Sequence, residues 1–228
     1  MSTPSYAPDL SEYSLQQFKD RLKSIRLFST HRLLLEDIDR RFEILEQHGI
    51  ENLAHLHKIL KTKTSLHTFA AQTGLPPDYL IVLRREVNGL LPKQIALKDF
   101  PGVNPEAVLR LDQLGIKTTA QLFPHVLTPQ DRKSFADLNQ LALDDLLLLT
   151  KLTDLARLKW TGPVFARLLA ASEFDTVEKI LDANVEDLYR SLLRTNTATP
   201  IYKGSFNLAD FAAWLDTVRD VPRVIQYV

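Results

Sequence analysis

The chain contains no cysteine, which excludes disulfides, thiolate zinc sites, iron–sulfur clusters and cysteine nucleophiles. It has no excess charge of either sign: Lys plus Arg and Asp plus Glu each number 28. The whole-protein field that draws most dedicated nucleic-acid binders to phosphate is therefore missing, and only a local basic patch could replace it. Glycine is sparse, at seven residues, and runs of β-branched residues are few, which favours helix over sheet. Long apolar runs are also lacking. The most apolar stretch, Leu141 to Leu149, is broken by Asp144 and Asp145 and is too short to span a bilayer. Met1 to Leu10 shows no basic segment followed by an apolar run, so no signal peptide is expected and the cytoplasm is the expected compartment. Glycine-rich phosphate loops and Gly-x-Ser-x-Gly elbows do not occur.

What is present is an ordinary globular composition. Of 228 residues, 45% are apolar and 25% charged, enough to bury the core of one large domain or two small ones. Residues 1 to 12 are rich in Pro, Ser and Tyr and read as a loose arm. Helical periodicity begins with Phe18, Leu22 and Ile25 on one face. Thr30 is placed to cap a second helix carrying Leu34, Ile38, Phe42 and Leu45 on one face, with Gly49 ending it as a left-handed cap. Pro76 and Pro77 open another helix. Asn104-Pro105-Glu106 and Thr128-Pro129-Gln130-Asp131 combine a cap acceptor, a first-turn proline and a first-turn carboxylate. Thr176, Asn184 and Asn207 precede further apolar-periodic segments.

Self-comparison reveals an internal repeat. At a shift of 58, Pro105 falls on Pro163, Leu111 on Leu169, Ile116 on Phe174, Thr118 on Thr176 and Leu122 on Ile180. At a shift of 66, Phe69 falls on Phe135, Leu75 on Leu141, Asp78 on Asp144 and Leu80 on Leu146, as do Leu45 on Leu111, Gly49 on Gly115, Ile50 on Ile116 and Leu56 on Leu122. The eight-residue difference is an insertion around Asn88 to Ala96. Five segments follow: 1–29, an arm and helix; 30–95, a degenerate first repeat; 96–153 and 154–195, second and third repeats; and 196–228, a strap around Tyr202 to Phe206 with a capping helix. The fold class is all-α, an array of short helices in about three related units with flanking helices at each end.

Two segments carry a family resemblance. Leu97-Lys98-Asp99-Phe100-Pro101-Gly102-Val103-Asn104-Pro105 and Leu158-Lys159-Trp160-Thr161-Gly162-Pro163-Val164-Phe165-Ala166 resemble the hairpin of the helix-hairpin-helix family. That hairpin reads apolar, Gly, apolar, Gly, Pro. From about Thr64 to Asn196 the chain is similar to an uncharacterised bacterial family, a domain of unknown function built of paired helix-hairpin-helix-like units, and Tyr202 to Tyr227 resembles the tail that follows such pairs. The resemblance implies a fold and no established activity. In the family's hairpin, two glycines let the backbone approach a phosphate, which the next helix N-terminus binds. Here Gly102 is kept and Asn104 stands at the second glycine position; Gly162 is kept and Trp160 stands at the first. Glu106 and Val164 occupy positions where DNA-binding members carry basic residues. In the first repeat Glu36 and Ile38 replace both glycines.

The candidate residues divide accordingly. Lys98, Gly102, Asn104, Arg157, Lys159 and Gly162 form the candidate nucleic-acid site, with Arg110 and Arg167 on the following helices. Trp160 is read in two ways, as core packed on the neighbouring repeat or as a partner-binding anchor, since Trp is enriched at interface hot spots. Trp214, with Phe211 and Val218 at helical spacing, reads as core. His55 and His57 are two residues apart and point to opposite sides of a helix, so they make no two-histidine metal site. Asp144 and Asp145 read as first-turn charges favouring the helix dipole. No catalytic set, cofactor, metal or membrane contact is assigned. The function expected is a non-enzymatic interaction protein that binds a protein partner or a second copy of itself. The alternative is weak, sequence-independent DNA or RNA binding through the two hairpins.

Overall fold

The computed structural model describes residues 4–205 and 207–228; Phe206, at the end of the expected strap, lies outside them. Every regular element among the described residues is helical, and the only ladder-type pairings are two isolated bridges, Ser14 with Asn52 and Ala96 with Thr118. The chain divides into two compact units, one spanning Ala7–Leu91 and the other running from Pro92 to Val228 and including Tyr6. Among the described residues, no helix is long and apolar enough to cross a membrane.

In the first unit, α1 (Leu15–Ser24) opens with a capping box in which Ser14 accepts from the Gln17 N–H and Gln17 accepts in return. Phe18 and Leu22 are fully buried, while Ile25 sits just past the helix end, half-buried. The next segment corrects the sequence reading. Thr30 does not cap an α-helix; Ser29–Leu35 is a 3-10 segment, and α2 (Ile38–Gln47) starts only after Asp37, which is held at φ +46. The tighter helix has three residues per turn, so His31 and Leu34 share a buried face. His31 Nδ1 lies 2.5 Å from the fully buried Glu86 carboxylate. The expected apolar face is present all the same, since Leu34, Ile38, Phe42 and Leu45 are all buried.

Gly49 ends α2 as expected. At φ +76 its N–H donates to Glu46 O, and the Ile50 N–H reaches back to Leu45 O, two bonds that satisfy orphan carbonyls of the last turn. Then come α3 (Leu53–Leu60), capped by Asn52, α4 (Lys63–Thr73), capped by Thr62 and ended by Gly74 at φ +70, and α5 (Pro77–Gly89). The Arg41 guanidinium donates to Leu33 O at 3.0 Å and covers the ring of Tyr79 on α5.

The second unit contains α6 (Pro105–Gln113), the single-turn α7 (Thr119–Leu122), α8 (Pro129–Asn139), α9 (Leu143–Leu155), α10 (Pro163–Ala170), α11 (Val177–Leu181), α12 (Val185–Ala198) and α13 (Leu208–Val218). Asn104, Thr128, Thr176, Asn184 and Asn207 each accept from a first-turn N–H, so every helix start read from a cap residue in this unit is present. Asp144 and Asp145 lie in the first turn of α9. The last turn of α9 is buried, from Leu152 through Leu155, and α9 packs against α7, α8 and α10.

Local geometry recurs at the 66-residue offset. Gly115 (φ +80) repeats the Gly49 cap, with Ile116 N–H donating to Leu111 O at 2.9 Å. Thr62 and Thr128 both make capping boxes, and Gly74 and Gln140 both end their helices in the left-handed region. Helices α5 and α9 both span 13 residues, from Pro77 and Leu143. The two bridges are also counterparts: Leu53 N–H donates to Tyr13 O, and Thr119 N–H to Ile95 O, each at 2.9 Å.

Two connections close the second unit. Between α12 and α13 the described residues form no regular structure, and the Asn196 side chain holds Ile201 and Tyr202, accepting from both N–H groups and donating to Tyr202 O. After α13 the last residues run extended along the unit, with Gln226 N–H on Leu127 O at 2.8 Å. Trp214 is core, as expected: its ring is buried with Phe211 and Val218, and its Nε1–H donates to Lys159 O at 2.9 Å.

Candidate functional site

Two turns of the second unit, each shortly before a helix that opens on proline, pass through the left-handed region. In the first, Leu97–Asp99 forms a 3-10 turn, Gly102 turns the chain at φ +72, and Asn104 caps α6 with Pro105 at its first position. In the second, Trp160 turns the chain at φ +61 and Gly162 precedes Pro163 of α10. Trp160 thus occupies the left-handed position that Gly102 holds 58 residues earlier. A Cβ in that region collides with the following carbonyl, and a bulky residue there is an outlier.

The two positions differ in what surrounds them. The Arg167 guanidinium of α10 lies against Gly102, where an added Cβ would come 3.4 Å from Nε. Trp160 remains 43% exposed, so it is not the core residue that one of the two sequence readings made it. The Lys159 ammonium, itself buried, sits 4.3 Å from the Trp160 ring centroid, in the range where a cation is attracted to the negative face of a ring. The exposed Val164 follows one turn later.

The remaining sequence-predicted residues are scattered in environment. Lys98 is exposed. Asn104 uses its oxygen to accept from Glu106 N–H at 3.0 Å and its amide to donate to Asp145 at 2.8 Å, tying the α6 start to the first turn of α9. Gly162 contributes backbone alone. Arg157 is buried: its guanidinium donates to Asp154 at 2.6 Å and to Pro222 O at 2.7 Å, and lies over the Phe123 ring. Arg110 is engaged by Asn139 O and the Gln140 side chain. The hairpin cations therefore do not converge on one solvent-facing point; Arg157 and Lys159 turn inward and Lys98 outward.

The inward group belongs to a buried network that sequence reasoning did not find. Burial pushes the Asp154 carboxyl up, against the pull of Arg157 and Tyr227. The Tyr227 hydroxyl, 3.3 Å from Asp154, is raised by burial and by that carboxylate. Arg132 bonds Val126 O and Gln226 O and covers the Tyr227 ring, fixing the C-terminal segment. Tyr6, edge-on to Phe123, donates to Lys93 O, and burial raises its pKa to about 12. The three-residue spacing of Asp154, in the last turn of α9, and Arg157, in the turn just after it, was the one legible trace of this network.

A groove of about 590 Å³ opens beside the first hairpin, between the Leu97–Asp99 turn and α6. Phe100, Val103, Val108, Leu109 and Ile116 supply apolar lining, and Lys98, Lys117 and Asp112 the charged part. Ala107 and Leu111 are the side chains that α6 buries, whereas Leu109 is 58% exposed and Leu114 is also exposed. Among the described residues, no group of three or more His, Asp or Glu side chains could hold a metal ion.

A family model described as a domain of unknown function (DUF4332) matches residues 101–220, more than half of the chain. No curated protein and no solved structure matches it.

Proposed function

Since the chain belongs to the DUF4332 family of domains of unknown function, its role must be argued from its own surface, and we propose that it is a non-enzymatic interaction protein whose helix-hairpin-helix-like repeats present Trp160 to a protein partner. The repeats are read as three related copies. The first includes α2 to α5 and the second α6 to α9. The third, which is truncated, holds α10, α11 and most of α12, and α13 lies in the capping segment that follows it. Shared caps and shared left-handed turns support that reading.

The observation that carries the function is the conformation of Trp160. A non-glycine residue in the left-handed region costs free energy of about 1 to 3 kcal/mol. The turn itself does not demand a tryptophan, because the equivalent turn is made by Gly102. The strained residue leaves much of its ring in solvent, fixed from one side by Lys159. A rigid, half-exposed indole with little rotamer freedom left to lose is what an interface anchor requires. The nucleic-acid reading finds less support, since Arg157 and Lys159 are buried and Glu106 stands in the first turn of α6.

The test compares wild-type protein with Trp160→Gly, which keeps the turn in the form used at Gly102. Proteins retained from the native cell extract by wild type and lost by the folded variant support the anchor. An identical retained set refutes it. In parallel, duplex and single-stranded DNA are titrated at about 50 and 200 mM salt, where phosphate binding must weaken steeply. Salt-sensitive binding lost in Lys98→Glu would restore the nucleic-acid reading.

A further inference from the structure

We infer that the groove beside the first hairpin is a docking site for an acidic amphipathic segment of a partner protein. The inference rests on the reading of the chain as a protein-interaction module and adds a second contact, whose lining does not include Trp160.

The lining of the groove gives the occupant its chemistry. Apolar side chains come from the turn (Phe100, Val103), from α6 (Val108, Leu109) and from the residue after Gly115 (Ile116). Helix α6 already satisfies the core with Ala107 and Leu111, so Val108 and Leu109 form a second apolar face on a nine-residue helix. A volume of about 590 Å³ is enough for two or three side chains from one face of a helix or strap, which is how amphipathic segments seat in apolar grooves.

Charge selects among such segments. Lys98 and Lys117 line the groove, and Asp112 is the one acidic residue there. Asp112 is used by Lys117 at 3.4 Å, and Lys98 forms no ion pair among the described residues. The lining therefore carries one uncompensated positive charge beside an apolar floor. Asp99 and Glu106, the nearest acids in sequence, do not line it. A carboxylate next to apolar residues complements this surface, and a basic segment is repelled by it. Exposed pairs contribute little to affinity, so the apolar contact sets the strength and Lys98 sets the preference.

The experiment selects a displayed library of random 15-residue peptides on the full chain, with Leu109→Asp as counter-target. Recovered peptides are expected to pair apolar residues at helical spacing with Asp or Glu. Their affinity is expected to fall more than about tenfold on Leu109→Asp, as loss of one buried leucine contact requires. It is expected to fall about fivefold on Lys98→Glu and to be unchanged on Trp160→Gly. Leu109 is exposed, so its substitution spares the core; circular dichroism confirms the fold, and Lys98→Glu gives an independent reading. Three results overturn the inference: no peptide that distinguishes wild type from Leu109→Asp, recovered peptides without acidic enrichment, or equal binding to Lys98→Glu. Such a failure leaves the Trp160 reading intact. Conversely, groove binding alongside an unchanged set of partners on Trp160→Gly would refute the Trp160 reading alone.

Discussion

Replacing Trp160 by alanine and by glycine separates backbone strain from side-chain packing. A tryptophan exposes roughly 150 to 250 Å² when free, and with 43% of it still accessible about 85 to 140 Å² leaves solvent on folding. At about 25 cal/mol per Å² that burial is worth about 3 kcal/mol as an upper estimate. Both variants lose nearly all of it, so both are less stable than wild type. They differ in the turn. Alanine must still adopt φ near +61, at about 1 to 2 kcal/mol, whereas glycine adopts it freely and loses only its larger unfolded-state entropy, about 0.5 to 1 kcal/mol. The glycine variant is therefore expected to be the more stable by about 1 kcal/mol, the reverse of the usual order in regular structure. Urea titration measures the difference, and the assay is clean because Trp214 is then the sole tryptophan and is buried in the same unit. An alanine variant as stable as the glycine variant would refute the claim that this turn is strained.

Two further predictions concern buried polar groups. The Tyr79 hydroxyl is buried with no hydrogen-bond partner among the described residues, so Tyr79→Phe is expected to hold or raise stability by up to about 1 kcal/mol; a clear loss of thermal stability would mean the hydroxyl is satisfied. Asp154→Ala strands the buried Arg157 guanidinium and is expected to cost about 3 to 5 kcal/mol. The double variant Asp154→Leu with Arg157→Met is expected to recover most of that loss, and a double variant no better than the single one would show the pair acts through other contacts.

The structure departs from the sequence reading most clearly where two local solutions compete. Thr30 is a good cap, yet the chain enters a 3-10 segment there because tertiary burial of His31 and Leu34 rewards a three-residue period. At the hairpins, the pattern of Gly, Asn and Pro located both turns, and the structure holds them at Gly102 and Trp160. The pattern alone left the Trp160 ring with two readings, and the structure places it partly in solvent. The basic residues around the turns read as one patch along the chain, whereas in space Arg157 turns to Asp154 and Pro222, 65 residues beyond.

Apart from the segment after Thr30, the helix starts and stops read from caps were determined by the sequence itself, because a cap is a hydrogen bond closed within four residues and a glycine turn depends on one φ angle. Asn104, Thr128, Gly49 and Gly115 act through neighbours a few positions away. Which lysines and arginines reach solvent, and where an apolar groove opens on α6, only the tertiary structure decided. Burial is set by whatever segment packs on a side chain, and for Arg157 and Tyr227 that segment lies more than sixty residues away in the chain.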